Sequence, residues 1–342
     1  MARIGVVQQG LGIIGQWILK ELIARGYDIV GVVDKRPDLA GKRLKDIGFT
    51  GKYSDLVIVD DWRKITKRTK VDVLSNATVS SFKILAPDIK AMAESGRIRV
   101  IISTCEELSY PYLRHKRLAK DLDNVLKKKK VALLGTGVNP GFVMDTLPLT
   151  ATAPCLGVDR IEVDRILNAF QRREAFQRKI GAGCTKQEFA QLVEAGKIRH
   201  VGLSESVAMI ASALGYNIHS KDVVIEESVP EPLVACAHVK TDFVEVAPGN
   251  PSGVHQSAYC KVKGRVIVRL EFRAAVDLKE SYDESRVYFN DSAEPLMRTR
   301  CIGGVFGDTA TVAMVVNSIP YLLKATPGLK TMLDVPPRYR GR

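Results

Sequence analysis

No two cysteines in this 342-residue chain stand at the CxxC spacing that opens a zinc site or a redox pair. The six that are present (Cys105, Cys155, Cys184, Cys236, Cys260 and Cys301) are scattered, which excludes a disulfide framework as well. No His, Asp and Glu cluster at ligand spacing supports metal catalysis, and no nucleophile elbow supports a serine hydrolase. No apolar run reaches the roughly 18 residues of a membrane helix, so no membrane partner is expected. The first strand opens by residue 3, leaving no room for a secretory leader. Internal repeats and low-complexity segments are missing too. These absences point to a cytoplasmic, metal-free globular protein.

The length allows two domains with adequate cores. A hydrophobic content of 46% and a charged content of 26% are ordinary for such a chain. The net charge of +13 suggests nucleic acid. However, Lys and Arg are dispersed and no nucleic-acid motif is present. The dense runs are Lys127 to Lys130, where a helix should end, and the tail residues Arg338, Arg340 and Arg342. No nucleic-acid partner is therefore expected, only a general attraction for anionic cofactors and substrates.

The informative stretch is residues 3 to 34. An apolar run (Ile4, Val6, Val7) leads into Gly10-Leu11-Gly12-Ile13-Ile14-Gly15, then a helical pattern ending at Gly26. A second apolar run, Ile29 to Val33, closes on Asp34. This is a dinucleotide-binding βαβ unit. Gly10 permits the tight turn, Gly12 lets a pyrophosphate approach, and Gly15 lets helix and strand pack closely. Ile13 and Ile14 open the helix, whose N-terminus offers free N–H groups to phosphates. Asp34 can accept from ribose hydroxyls and repel a 2′-phosphate, whereas Lys35 and Arg36 can attract one. Both NAD and NADP stay open, with NAD slightly favoured.

Strands and helices then alternate to about residue 134, which implies a Rossmann-type doubly wound parallel sheet. Ligands lie outside the carboxyl ends of such strands. Ala77, Thr78, Cys105, Glu106, Glu107, Thr136 and Asn139 all fall there. The segment Gly135 to Gly141 reads as a hinge, and Phe142 after it is a candidate substrate contact. Long alternating segments at 158–167 and 265–273, with a turn at Lys263-Gly264, predict a second α+β domain on a mixed or antiparallel sheet. An apolar helix at about 308–323 should return to the first domain. The expected domains are therefore 1–140 with 305–342, binding the dinucleotide, and 141–304, binding substrate and forming a homodimer.

Glu106 and Glu107 stand beside the position of a nicotinamide ring, where a carboxylate can accept a proton. The alternative is that one of them caps the helix starting near Pro111. Arg165 ends an otherwise apolar strand face and needs an anionic partner, either a substrate carboxylate or a neighbouring acid. His255 can hold a polar substrate group or be structural.

Several segments together carry a resemblance: Ser103 to Pro111 (STCEELSYP), Gly135 to Asp145 (GTGVNPGFVMD), and Arg172-Arg173 with Gln177 to Gly183 (QRKIGAG). His200 to Ser206 (HVGLSES), Gly303 to Asp308 (GGVFGD) and Pro327 to Leu329 complete the set. The chain resembles the 2,4-diaminopentanoate dehydrogenase family, relatives of dihydrodipicolinate reductase that also include native amine dehydrogenases. The resemblance implies NAD(P)-dependent oxidative deamination of an amine or diamino acid, reversible with ammonia. It also implies a catalytic glutamate in Cys105-Glu106-Glu107. Two rivals stand beside it: an imine or dihydrodipicolinate-type reductase on the same scaffold, and a non-catalytic dinucleotide-binding regulator.

Overall fold

The computed structural model describes residues 4–335, so the basic tail residues Arg338, Arg340 and Arg342 lie outside the described residues. The chain divides into two compact units, residues 1–142 with 307–342 and residues 143–306.

The first unit opens with strand β1 (Gly5–Gln9), helix α1 (Ile13–Ala24) and strand β2 (Asp28–Val33). Next come β3 (Ile58–Val59), α2 (Arg63–Thr66), β4 (Val71–Asn76) and α3 (Phe82–Glu94). Then follow β5 (Ile98–Ser103), α4 (Lys116–Lys129) and β6 (Ala132–Gly135). After the second unit, a helix Gly307–Leu322 and a strand Gly328–Lys330 complete this one. The sheet order is β3-β2-β1-β4-β5-β6 followed by the C-terminal strand, and every pairing is parallel. This is the Rossmann-type order, with the strand sequence reversing between β1 and β4.

The helices form because their apolar residues recur on one face. Gly15, Ile18, Leu19 and Leu22 are the buried set of α1, and Phe82, Leu85, Ala86, Ile89, Met92 and Ala93 that of α3. Val7, Leu74, Ile101 and Leu133 from the strands meet Phe82, Ile89, Leu122 and Leu126 from α3 and α4 in one core. Strand β3 is only two residues long. Its neighbourhood is a chain of turns from Leu39 to Leu56.

The second unit begins with α5 (Thr146–Ala151), β7 (Arg160–Asn168), α6 (Glu174–Lys179), α7 (Lys186–Glu194) and α8 (Leu203–Ala213). Strands β8 (Val223–Glu227), β9 (Glu231–Val234), β10 (Val239–Lys240) and β11 (Glu245–Val246) follow. Four more complete it: β12 (Pro251–Val262), β13 (Arg265–Ala275), β14 (Tyr282–Tyr288) and β15 (Met297–Ile302). The main sheet runs β15-β14-β7-β13-β12-β8, with β9 also on β12, and β10 pairs with β11 separately. Only β7 and β13 run parallel in it, so the sheet is mixed. Lys263 and Gly264 both take positive φ (48° and 82°), the conformation a two-residue hairpin needs between β12 and β13.

Register decides which side chains share a face. Arg165 lies opposite Phe272 and Asp283, whereas His255 lies opposite Arg273. Phe272 and Arg273 are consecutive, so they point to opposite faces. Arg165 and His255 are therefore on opposite sides of the sheet. Helix α8 packs on the Arg165 side of β12 and β13, where the His200 ring meets Phe272 at 4.4 Å. The His200 N–H donates to Gln256 on the same side at 2.8 Å.

Candidate active site

The glycine turn after β1 is held by close backbone contacts. A Cβ on Gly10 would sit 2.4 Å from the Ala77 carbonyl oxygen, and Gly10 has φ +88°. A Cβ on Gly15 would sit 1.9 Å from the Gly10 oxygen. Gly12 differs, because a Cβ there would meet nothing within 4 Å. Gly10 and Gly15 are thus required by the fold, while Gly12 keeps open the space in front of the N-terminus of α1. Ile13 is exposed and Ile14 half-buried beside that space. The fit to a dinucleotide pyrophosphate rests on this opening.

Asp34 ends β2 with its carboxylate almost fully occupied. Its Oδ2 accepts from the Leu11 N–H at 2.7 Å and from Arg36 Nη2 at 3.1 Å. Its Oδ1 accepts from the Arg36 N–H at 2.9 Å and Nε at 3.1 Å. Burial works against the charge, but the bonds from Arg36 and Leu11 outweigh it and hold the carboxyl below its usual range. Arg36 is half exposed, and Lys35 is exposed beside it.

At the carboxyl ends of β4 and β5 the polar groups interlock. Asn76 Oδ1 accepts from Ser103 Oγ (3.2 Å) and Thr78 Oγ1 (3.1 Å). Sequence reasoning overlooked Asn76, although a carboxamide closing an otherwise apolar strand was the available signal. Gln8 and Gln9 were also unexplained by the motif. Gln8 Nε2 donates to the Gly10 oxygen at 3.0 Å and ties down the turn, while Gln9 Nε2 donates to Asp88 at 3.1 Å.

The adjacent glutamates are used differently. Glu107 Oε2 accepts from the Phe82 N–H at 2.8 Å, capping α3, and lies 3.5 Å from His115 Nε2. It stitches the loop after β5 to α3, not to the helix expected near Pro111. Glu106 lies one residue nearer the strand, in the 3₁₀ turn Glu106–Leu108, and is half-buried. Among the described residues its carboxylate makes no hydrogen bond or ion pair.

Other expected positions are engaged within the protein. The Cys105 thiol turns inward and donates to the Ser80 oxygen at 3.1 Å. Burial, reinforced by Glu106 and Glu107, pushes it up to about 12, so it stays a neutral thiol. Arg165 is 2% exposed and bonded to Asp283 at 2.8 Å. Its Nη2 donates to the Val305 oxygen at 3.1 Å, and the Val305 N–H donates to Asp283 at 2.6 Å. Burial pushes Arg165 down and Asp283 up, each towards its neutral form, against their mutual attraction. Of the two partners expected for it, the structure shows the neighbouring acid, Asp283. His255 Nε2 lies 2.5 Å from Glu271, which also accepts from Tyr259 and Arg269. Arg165 and His255 are thus both internally paired and do not converge. Ala77 and Thr78 remain at the strand ends, and Asn139 and Phe142 are half-buried.

A glycine turn on a parallel sheet of this order, with an acid ending β2, defines a Rossmann-type dehydrogenase scaffold. The model of the 2,4-diaminopentanoate dehydrogenase C-terminal domain matches residues 142–339. A 2,4-diaminopentanoate dehydrogenase of Acetoanaerobium sticklandii is 30% identical over 98% of this chain and 94% of its own. The chain belongs to the 2,4-diaminopentanoate dehydrogenase family, and is an oxidoreductase acting on amines that uses a nicotinamide dinucleotide. The fold is also that of an amine dehydrogenase from Mycobacterium smegmatis, with a TM-score of 0.81 at 21% identity over 99% and 98% of the two chains. A UDP-N-acetylglucosamine 3-dehydrogenase from Acidithiobacillus ferrooxidans is a more distant likeness. Its TM-score is 0.53 at 12% identity, over 98% of this chain and 93% of that one.

Proposed function

We propose that the protein is an NAD(P)-dependent amine dehydrogenase that deaminates 2,4-diaminopentanoate or a related amine to the ketone and ammonia, reversibly, with Glu106 as the base. The observation that carries the assignment of the base is the contrast between two neighbouring carboxylates. Glu107 is bonded to the N-terminus of α3, and Glu106 has no partner among the described residues. A carboxylate held half-buried at the cofactor end of a parallel strand is placed to accept a proton from a substrate ammonium. Losing that proton frees the nitrogen lone pair to assist departure of the hydride. A bound nicotinamide dinucleotide supplies the hydride acceptor. Gly12 and the N-terminus of α1 receive its pyrophosphate, and Asp34 with Arg36 receives its adenosine ribose.

Both NAD and NADP are compatible with that ribose site. A ribose diol on Asp34 displaces the Arg36 guanidinium, whereas a 2′-phosphate makes use of it. Phe142 remains a candidate substrate contact. The proposal extends to a cytoplasmic homodimer. The sheet face opposite α8 carries ion pairs such as Arg286 with Asp164 and Arg269 with Glu271, a patterned surface suited to a second copy.

The test is a pair of glutamine variants assayed for amine-dependent dinucleotide reduction and for ammonia-dependent reductive amination. Glu106→Gln should lower kcat by about 10²-fold or more in both directions. Glu107→Gln should keep kcat within about threefold and lose stability of about 0.3–1 kcal/mol, because a helix terminus loses its anion. The reverse order would move the base to Glu107. A carbonyl substrate reduced without ammonia would favour a simple reductase.

A further inference from the structure

The edge of the first unit's sheet opposite the cofactor carries a concentration of positive charge without ion-pair partners among the described residues. Lys67, Arg68 and Lys70 immediately precede β4, Arg97 precedes β5, and Lys128, Lys129 and Lys130 precede β6. Lys324 sits before the C-terminal strand. These strands are neighbours in the order β4-β5-β6-C-terminal strand, so the cations form a stripe across four adjacent strand ends. At about 4.8 Å per strand, the stripe spans roughly 14 Å before side-chain reach is added. All eight residues are exposed, and among the described residues none has an ion-pair partner within 4 Å. The carboxylates nearby are already engaged. Asp123 holds Lys127 and the Leu329 N–H, Asp72 holds the Gly5 N–H, and Glu94 faces Lys90.

Helix ends explain only part of this. Helices α2, α3, α4 and Gly307–Leu322 all end at this edge, and a cation stabilises each terminus. That accounts for about one residue per helix. Eight like charges with no interleaved acid repel one another, and no contact within the unit uses them.

We propose that this stripe is a docking surface for an acidic segment of a partner protein. The choice of partner follows from what stands between the cations. Thr66, Thr69, Ser95, Gly96, Ala325 and Thr326 are small or polar. No exposed aromatic ring in these segments can stack on nucleobases, and no exposed large apolar side chain can insert into a bilayer. Six of the eight cations are lysines, point charges without the planar fork that grips phosphate bidentately. Recognition by charge alone over a short stripe fits a run of aspartates or glutamates about five residues long in extended conformation. Docking there leaves the glycine turn and Glu106, at the opposite strand ends, free to work.

The test measures anisotropy of a fluorescent deca-glutamate peptide with the full-length protein. Binding should weaken at least about tenfold between roughly 50 and 200 mM salt. Lys67→Gln/Lys70→Gln and Lys128→Gln/Lys129→Gln/Lys130→Gln, from separate loops, should each weaken it several-fold with unchanged amine oxidation. Lys186→Gln/Lys221→Gln, which lowers net charge equally to the first pair but in the second unit, should leave it unchanged. Equal weakening by the control pair would reduce the effect to net charge and overturn the assignment. Tighter, stripe-dependent binding of a DNA duplex or of vesicles rich in phosphatidylglycerol would overturn the choice of partner.

Discussion

The two sheets handle charge in opposite ways. In the second unit, several charged side chains of the main sheet face one another: Arg165 with Asp283, His255 and Arg269 with Glu271, Arg286 with Asp164. In the first unit, the carboxyl ends of the strands hold groups with capacity left over. Gly12 faces open space, Asp34 holds an arginine that is half exposed, and Glu106 has no partner among the described residues. The difference separates structural charge from chemical charge. A buried arginine on an apolar strand face attracts notice, but its bonds are complete. The residue we propose for chemistry is the less conspicuous one whose bonds are not.

The strongest challenge to that distinction is Arg165→Met. If the ion pair is structural, the variant leaves Asp283 buried without its partner, which costs about 3–5 kcal/mol of stability. It also frees the Val305 oxygen, one half of a clasp that holds both polar groups of that residue. The surviving folded enzyme should show equal changes in kcat/KM for a carboxylated and an uncarboxylated amine. A selective rise in KM for the carboxylated amine, with little loss of melting temperature, would make the second sheet a substrate site and erase the contrast.

Much of the fold was legible because it depends on local pattern. The period-two and 3.6-residue periodicities, with Gly10, Gly15 and Gly26 as punctuation, marked the alternating strands and helices. What periodicity could not show was pairing at a distance. Nothing near Arg165 in sequence announces Asp283, 118 residues away, although an internal acid was one of two readings of that arginine. The same holds for His255, because its side of the sheet depends on the β12–β13 register. Glu106 and Glu107 were both flagged at a strand end. Only the fold shows that Glu107 reaches back 25 residues to Phe82. Cys105 followed the same strand to the same edge, yet its thiol turns inwards, a matter of one χ angle.

His200 sharpens the contrast from within the second unit. Its ring is half-buried with Nδ1 shut off from solvent, and desolvation together with the cations Lys179 and Arg165 lowers it to about 3. The folded state therefore keeps it neutral, while the unfolded chain protonates it near pH 6.5. Between those values the unfolded state binds the extra proton, so stability is complete above about pH 6.5 and falls as pH drops towards 3. From pH 7 to pH 5 the loss attributable to this group is about 2 kcal/mol. His200→Asn should flatten the pH dependence of chemical denaturation over that range. An unchanged slope would mean that the ring is already protonated in the fold and that the second unit compensates its charges less completely than its ion pairs suggest.

The smallest effect expected is a change of cofactor preference at Asp34. The carboxylate receives four donors, of which Arg36 supplies three and Leu11 one. Asp34→Ala removes the acceptor for a ribose diol and releases the Arg36 guanidinium beside the same hydroxyl. It also removes the like charge that opposes a 2′-phosphate. NAD affinity should fall and NADP affinity should hold or rise, a relative shift of about tenfold, or about 1.4 kcal/mol. Titration of both dinucleotides against wild type and variant measures the shift directly. Arg36→Ala should move the ratio the other way, since it frees Asp34 for the diol and deletes the cation that a 2′-phosphate needs. If both variants lower the two affinities equally, the Asp34–Arg36 pair only braces the glycine turn through Leu11, and the first unit's ribose site joins the second unit's ion pairs as a structural feature.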